Sequence, residues 1–181
     1  MADELKVRNS SLRLTKGDIT TLAIESFVYY ARPDLALGSG FGTAISQRGG
    51  PSVQEELNGK GPLMTTEVVI TAAGEMKACH IIHAVGPRFQ EEDLEDKLKI
   101  TIQNCLKKAD EKGIKAVAFP AMGAGFYGVP LDTSARVTLG VIKDYLSGST
   151  GITEVVVCLL DSREYQPFQK QLSAMAGQGR S

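Results

Sequence analysis

Short apolar runs alternate with amphipathic stretches along this chain, so strands and helices are expected in turn. Leu12 and Leu14 alternate with Arg13 and Thr15, which predicts a half-exposed strand from Ser11 to Thr15. Residues 1–9 before it are polar and carry no sustained period. Lys16-Gly17-Asp18 breaks the strand, and Ile19 to Ala23 is expected as a helical turn. Ser26 to Ala31 is aromatic and β-branched, the make-up of a buried strand. After Arg32-Pro33-Asp34 and Gly38-Ser39-Gly40-Phe41-Gly42, helices are expected over Thr43 to Arg48 and Ser52 to Leu57.

Glu67 to Ala73 and Cys79 to Val85 read as strands joined through Gly74-Glu75-Met76-Lys77, a hairpin pattern. Glu91 to Lys112 carries the longest helical period, with Leu94, Leu98, Ile102, Cys105, Leu106 and Ala109 on one face. A strand over Ala116 to Phe119 and a helix over Leu131 to Ser147 follow. Glu154 to Leu160 is almost continuously apolar, as a strand covered on both faces should be. Asp161 to Ala176 reads as a terminal helix that Asp161 or Ser162 can cap. This alternation predicts an α/β sandwich with a largely parallel sheet between helical layers, and places ligand contacts beyond the carboxyl ends of the strands.

The length of 181 residues suits a single domain over 1–181, with the tail fraying from about 177. With 43% hydrophobic and 23% charged residues and a formal charge of -1, nothing favours nucleic acid or a membrane surface. Cys79, Cys105 and Cys158 are far apart in apolar surroundings and are expected as reduced core thiols, which points to the cytoplasm. His80 and His83 are three apart in a strand and face opposite ways, so no metal site is expected. No serine or cysteine stands in a recognisable nucleophile setting. The carboxylates from Glu91 to Asp96 suit a solvated helix start.

Two glycine-rich turns carry the candidate chemistry. Gly123, Gly125 and Gly128 lie between a strand and a helix, where backbone N–H groups and the helix dipole favour a phosphate. Their spacing fits G-x-G-x-x-G, but the acidic partner about 20 residues on that a dinucleotide fold requires is missing. Gly38, Gly40 and Gly42 form the second turn at another strand end, and two such turns suit one cleft for an extended phosphate-bearing ligand. Asp18 either caps the turn at Ile19 or accepts a hydrogen bond from an exocyclic amine.

Gly17-Asp18-Ile19-Thr20, the glycine loop after a buried strand, His83-Ala84-Val85-Gly86-Pro87, and Ala118-Phe119-Pro120-Ala121 through Gly125-Phe126-Tyr127-Gly128 occur in that order. Together they resemble the macro domain, the ADP-ribose-binding module. The resemblance implies a three-layer α/β/α sandwich with a mixed, largely parallel central sheet. It implies that Asp18 binds the adenine amine with Ile19 beside the ring. By the same resemblance Gly123, Ala124, Gly125, Phe126, Tyr127 and Gly128 wrap the diphosphate, with Tyr127 against the distal ribose. Gly38, Ser39, Gly40 and Phe41 would line the facing wall, and Leu160 would pack where some members stack an aromatic ring on adenine.

Hydrolase members of that family carry Asn-Ala-Ala-Asn where this chain has Tyr29-Tyr30-Ala31-Arg32, and often an acid at the position of Gly42. Neither a guanidinium nor a glycine can take a proton from water, so no catalytic residue is expected. Arg32 either binds a ligand phosphate or distal-ribose hydroxyl, or is held at the surface by Asp34. The function implied is binding of ADP-ribose or a related adenine diphosphate metabolite, free or protein-linked, without a cofactor. The alternatives are an ADP-ribosyl hydrolase or ADP-ribose-1″-phosphate phosphatase of the same fold, and an interaction domain with a degenerate cleft.

Overall fold

The computed structural model describes residues 2–38 and 40–178; the expected ligand contact at Ser39 and the end of the tail lie outside them. The strands are β1 (Glu4–Val7), β2 (Ser10–Lys16), β3 (Ser26–Tyr30), β4 (Val68–Ala72), β5 (His80–Ala84), β6 (Ala116–Phe119) and β7 (Glu154–Leu159). The helices are α1 (Phe41–Gly49), α2 (Ser52–Leu57), α3 (Leu94–Glu111), α4 (Leu131–Leu146) and α5 (Ser162–Gln178). One sheet has the order β1-β2-β7-β6-β3-β5-β4. Its inner strands, β2 through β5 in that order, run parallel, and β1 and β4 are antiparallel at the edges.

Alternation along each strand sends neighbouring side chains to opposite faces. In β3, Val28 and Tyr30 join the core under α3, α4 and α5, built on Leu98, Ile102, Leu139 and Phe168. Phe27 and Tyr29 join the other core, with Ile45 of α1 and Val53 and Leu57 of α2. The fold is therefore the expected three-layer α/β/α sandwich with a mixed, largely parallel sheet.

Several boundaries differ from the sequence expectation. The polar start of the chain forms β1, because pairing with β2 satisfies its backbone even with mostly exposed side chains. α3 begins at Leu94, since Asp93 adopts a left-handed conformation with φ 56°. α5 continues through Gln178, past the expected onset of fraying. Asp161 rather than Ser162 receives the Glu164 N–H, at 3.0 Å. Only Cys105 and Cys158 are core thiols; Cys79 is exposed in the connection between β4 and β5. Among the described residues, no helix is long and apolar enough to cross a membrane.

Candidate ligand-binding cleft

The parallel strands deliver their carboxyl ends to one edge of the sheet. Sheet order therefore fixes the order of the loops there: Asp18 after β2, Leu160 after β7, Gly123–Gly128 after β6, Arg32–Gly42 after β3, and Arg88 after β5. The sequence-predicted positions among these residues thus form a single row, with the two glycine-rich turns adjacent at β6 and β3.

Asp18 and Leu160 meet at the β2–β7 end of the row. The Gly17 N–H donates to the Leu159 carbonyl at 2.9 Å, and Leu160 beyond it is 51% exposed. Asp18 caps a short 3-10 turn, Ile19–Thr21: its Oδ1 accepts from the Thr20 N–H at 2.9 Å and the Thr20 hydroxyl at 2.6 Å. Its Oδ2 faces Arg48 of α1 at 3.3 Å. The cap is thus present, and Oδ2 has only an exposed guanidinium as its partner. Ile19 is only 5% exposed and packs in the α1–α2 core, so its side chain belongs chiefly to that core. Arg48 was not singled out in the sequence, where nothing marks a residue 30 positions away as a partner of Asp18.

The turn after β6 is built around Gly123 and Gly125. Gly123 has φ 76°, and a Cβ there would lie 2.5 Å from a methyl of Val129, while its carbonyl accepts from the Val129 N–H at 3.0 Å. Glycine is needed at that position for both conformation and space. Gly125 also has φ 76°, but a Cβ would meet nothing within 4 Å, so it borders open space. Gly125–Tyr127 form a 3-10 turn, and its opening N–H groups have no carbonyl partner within the turn. Ser134 of α4 secures the turn through a 2.7 Å bond from its hydroxyl to the Met122 carbonyl. Ala124 and Tyr127 pack on the α3–α5 core, while Phe126 is 88% exposed at the rim.

Tyr30 is the support that sequence reasoning passed over. Its hydroxyl donates to the Pro87 carbonyl at 2.5 Å, and its ring lies 4.8 Å from that of Tyr127. A Cβ on Gly86 would fall 2.2 Å from the Tyr30 oxygen, which explains the glycine in His83-Ala84-Val85-Gly86-Pro87. The Phe89 N–H then donates to the Tyr127 carbonyl at 3.0 Å. Two adjacent tyrosines ending a strand were the available signal, since period two must send one to each core.

The facing wall opens α1. Gly38 and Gly40 border open space, Gly40 with φ 56°, and Phe41 is partly exposed. Gly42, in contrast, is buried: a Cβ would lie 2.9 Å from both the Leu37 Cα and the Tyr29 hydroxyl. Burial, with Tyr127 adding to it, pushes the Tyr29 pKa up to about 12, against Arg32 and the Gly42 N–H, so the phenol stays neutral. Arg32 forms an ion pair with Asp34 at 2.9 Å, both side chains being about half exposed. The structure thus shows the surface pairing; the same guanidinium is also close enough to act on Tyr29 and Tyr127.

An α/β/α sandwich with two glycine-rich turns at the carboxyl ends of its strands is consistent with what comparison of the sequence finds. Residues 31–138 match the Macro domain family, and the chain belongs to it. It is 38% identical over 165 residues to a macro domain-containing protein of Caldanaerobacter subterraneus subsp. tengcongensis, across 88% of this chain and 94% of that one. It is 34% identical over 168 residues to a Pantoea vagans protein named O-acetyl-ADP-ribose deacetylase 1, across 90% of this chain and 98% of that one. Among solved structures, the Oceanobacillus iheyensis macrodomain with ADP superposes with a TM-score of 0.91 at 28% identity, covering 97% and 96% of the two chains. A variant of that macrodomain with ADPR gives 0.89 at 28% identity, covering 96% and 98%.

Proposed function

We propose that this chain binds ADP-ribose or a related adenine diphosphate metabolite, free or protein-linked, in the cleft between Gly38–Gly42 and Gly123–Gly128. The observation that carries the reading is the turn at Gly125, open on its outer side and led by free N–H groups, beside a second glycine turn that opens α1. The macrodomain relative solved with ADP and with ADPR supports it.

In this reading Asp18 receives the adenine amine through Oδ2, with the Ile19 backbone and Leu160 beside the base. The N–H groups of Gly123–Gly128 hold the diphosphate, with Phe126 at its rim and Tyr127 at the distal ribose. Gly38, Gly40 and Phe41 form the opposite wall, and Arg32 closes its far end. The partner is then ADP-ribose itself or an ADP-ribosylated protein. The free thiols Cys79, Cys105 and Cys158 support a reducing, cytoplasmic setting.

Hydrolysis is the second reading, favoured by the Pantoea vagans relative's name. It would have to proceed without a protein base at Arg32 or Gly42, since a guanidinium stays protonated and glycine has no side chain. Titration with ADP-ribose tests the binding reading. Incubation with a mono-ADP-ribosylated protein, against a Gly125→Glu control, tests the second.

A further inference from the structure

We propose that the free edge of β4 pairs antiparallel with the same edge of a second copy of this chain, about a twofold axis at Val69, joining two 7-stranded sheets into one. This surface uses none of the residues assigned to the cleft.

The register of β4 against β5 fixes which backbone groups face outward. The Ala31 N–H donates to the Ala84 carbonyl at 2.8 Å, so Ala84 turns its polar groups toward β3 and away from β4. Val68 stands directly opposite Ala84. Opposed residues in an antiparallel pair exchange both bonds or neither, so Val68 turns its own N–H and C=O away from β5. Period two gives Ile70 and Ala72 the same direction. The 3.1 Å bond from the Ala73 N–H to the Cys79 carbonyl agrees with that phase.

The two ends of this edge are closed within the chain. The Ala72 N–H donates to Glu56 Oε2 at 2.8 Å, and its carbonyl accepts from the Thr71 hydroxyl at 2.9 Å. Thr66, with φ 83°, donates its N–H to the Val85 carbonyl at 2.7 Å and accepts from the Asn104 side chain at 2.9 Å. Between them, the outward groups of Val68 and Ile70 meet no other element or side chain among the described residues. The side chains here are half-buried and apolar, Val68 and Ile70 over one core and Val69 over the other. The opposite edge of the sheet, β1, instead carries exposed Glu4 and Lys6, ion-paired at 2.9 Å. Charges of that kind keep an edge strand from pairing, and β4 has none.

The open groups read the same from both directions, which is what a second copy requires. With Val69 opposite Val69, Val68 of each copy meets Ile70 of the other, and every open N–H and C=O is used with none left over. Ala72 and Thr66 are already satisfied, so a longer extended strand gains no further bonds from them. The net charge of -1 gives little repulsion between copies. The twofold reverses strand direction, so the glycine-rich turns of the two copies open at opposite ends of the joined sheet.

Sedimentation equilibrium of the full chain, with hydrogen exchange over the same concentrations, tests the proposal. Two open residues make a small contact, so the mass should rise from that of one chain at about 1 µM toward twice that at about 1 mM. The Val68 and Ile70 amides should exchange about tenfold more slowly at the upper end. Ile70→Pro removes an outward N–H and breaks no bond to β5, so it should stay folded and monomeric. Val69→Lys sets two ammonium groups against each other across the axis and should also be monomeric. Thermal melts show which variants are folded. A single-chain mass at about 1 mM leaves the edge to water or another polypeptide and overturns the proposal. A dimer that persists in a folded variant, or one whose Val68 and Ile70 amides exchange as fast as in the monomer, overturns it too.

Discussion

The Tyr29 hydroxyl lies 2.9 Å from the position that a Cβ on Gly42 would take. The strand end and the first turn of α1 are therefore fitted to each other: a phenol at 29 requires the absence of a side chain at 42. The Leu37 Cα, also 2.9 Å from that position, closes the space from the other side.

Gly42→Ala should destabilise the fold by about 1–3 kcal/mol, the cost of overpacking a close contact. Tyr29→Phe removes one of the two opposing atoms, so the double variant should be more stable than the two single effects predict by addition. Urea unfolding of the four proteins in a double-mutant cycle checks this. Strict additivity would show that the two positions do not share the space.

Gly125→Glu should separate folding from binding. The side chain enters open space, so the unfolding transition should shift only by the strain of a left-handed non-glycine residue, about 1–2 kcal/mol. ADP-ribose binding should be abolished, because a carboxylate then stands where the proposed reading puts the diphosphate. A thermal melt and a titration on the same sample report the two effects.

Asp18 caps the turn with one oxygen and, in the proposed reading, receives the adenine amine with the other. Asp18→Ala should cost about 1 kcal/mol through loss of the cap to Thr20. Asp18→Asn keeps an oxygen for that cap and so should stay near full stability, while its second position changes from acceptor to donor. Its preference for ADP-ribose over the hypoxanthine analogue should fall or reverse, read as a ratio of the two affinities.

His83 is buried, with Nε2 2.9 Å from the Thr71 hydroxyl, and burial pushes its pKa down from 6.5 to about 3. The folded state therefore keeps the ring neutral over a range in which the unfolded chain protonates it. Its stabilising contribution is fully present above about 6.5 and is lost as pH falls toward about 3, at up to about 1.4 kcal/mol per pH unit. Urea unfolding between about pH 7 and pH 5 should show a shallower decline in His83→Gln than in the unaltered protein.

The row of loops was legible because its signals are local. Apolar runs such as Val155-Val156-Val157 marked the inner strands, and glycines marked the turns that must hold unusual backbone angles. Less legible was whatever depended on contacts distant in sequence. β1 has no apolar period and exists through its pairing with β2. The cap that Asp18 makes is a short-range pattern, but its contact with Arg48 appears only once α1 crosses the end of β2. Gly86 read as part of a motif, and its cause, the Tyr30 hydroxyl, emerged only with the packing. Cys79 looked like a core thiol by its neighbours and is exposed because it sits just before β5 begins. Arg32 kept two readings at the sequence level, and its bond to Asp34, made two residues along the chain, is the one that the structure shows.

Isothermal titration of the unaltered protein with ADP-ribose is the decisive test of ligand binding between the two glycine turns. Saturable binding of one ligand per chain, eliminated by Gly125→Glu, is the expected result. Absence of heat at millimolar ligand, or equal binding by Gly125→Glu, would contradict it.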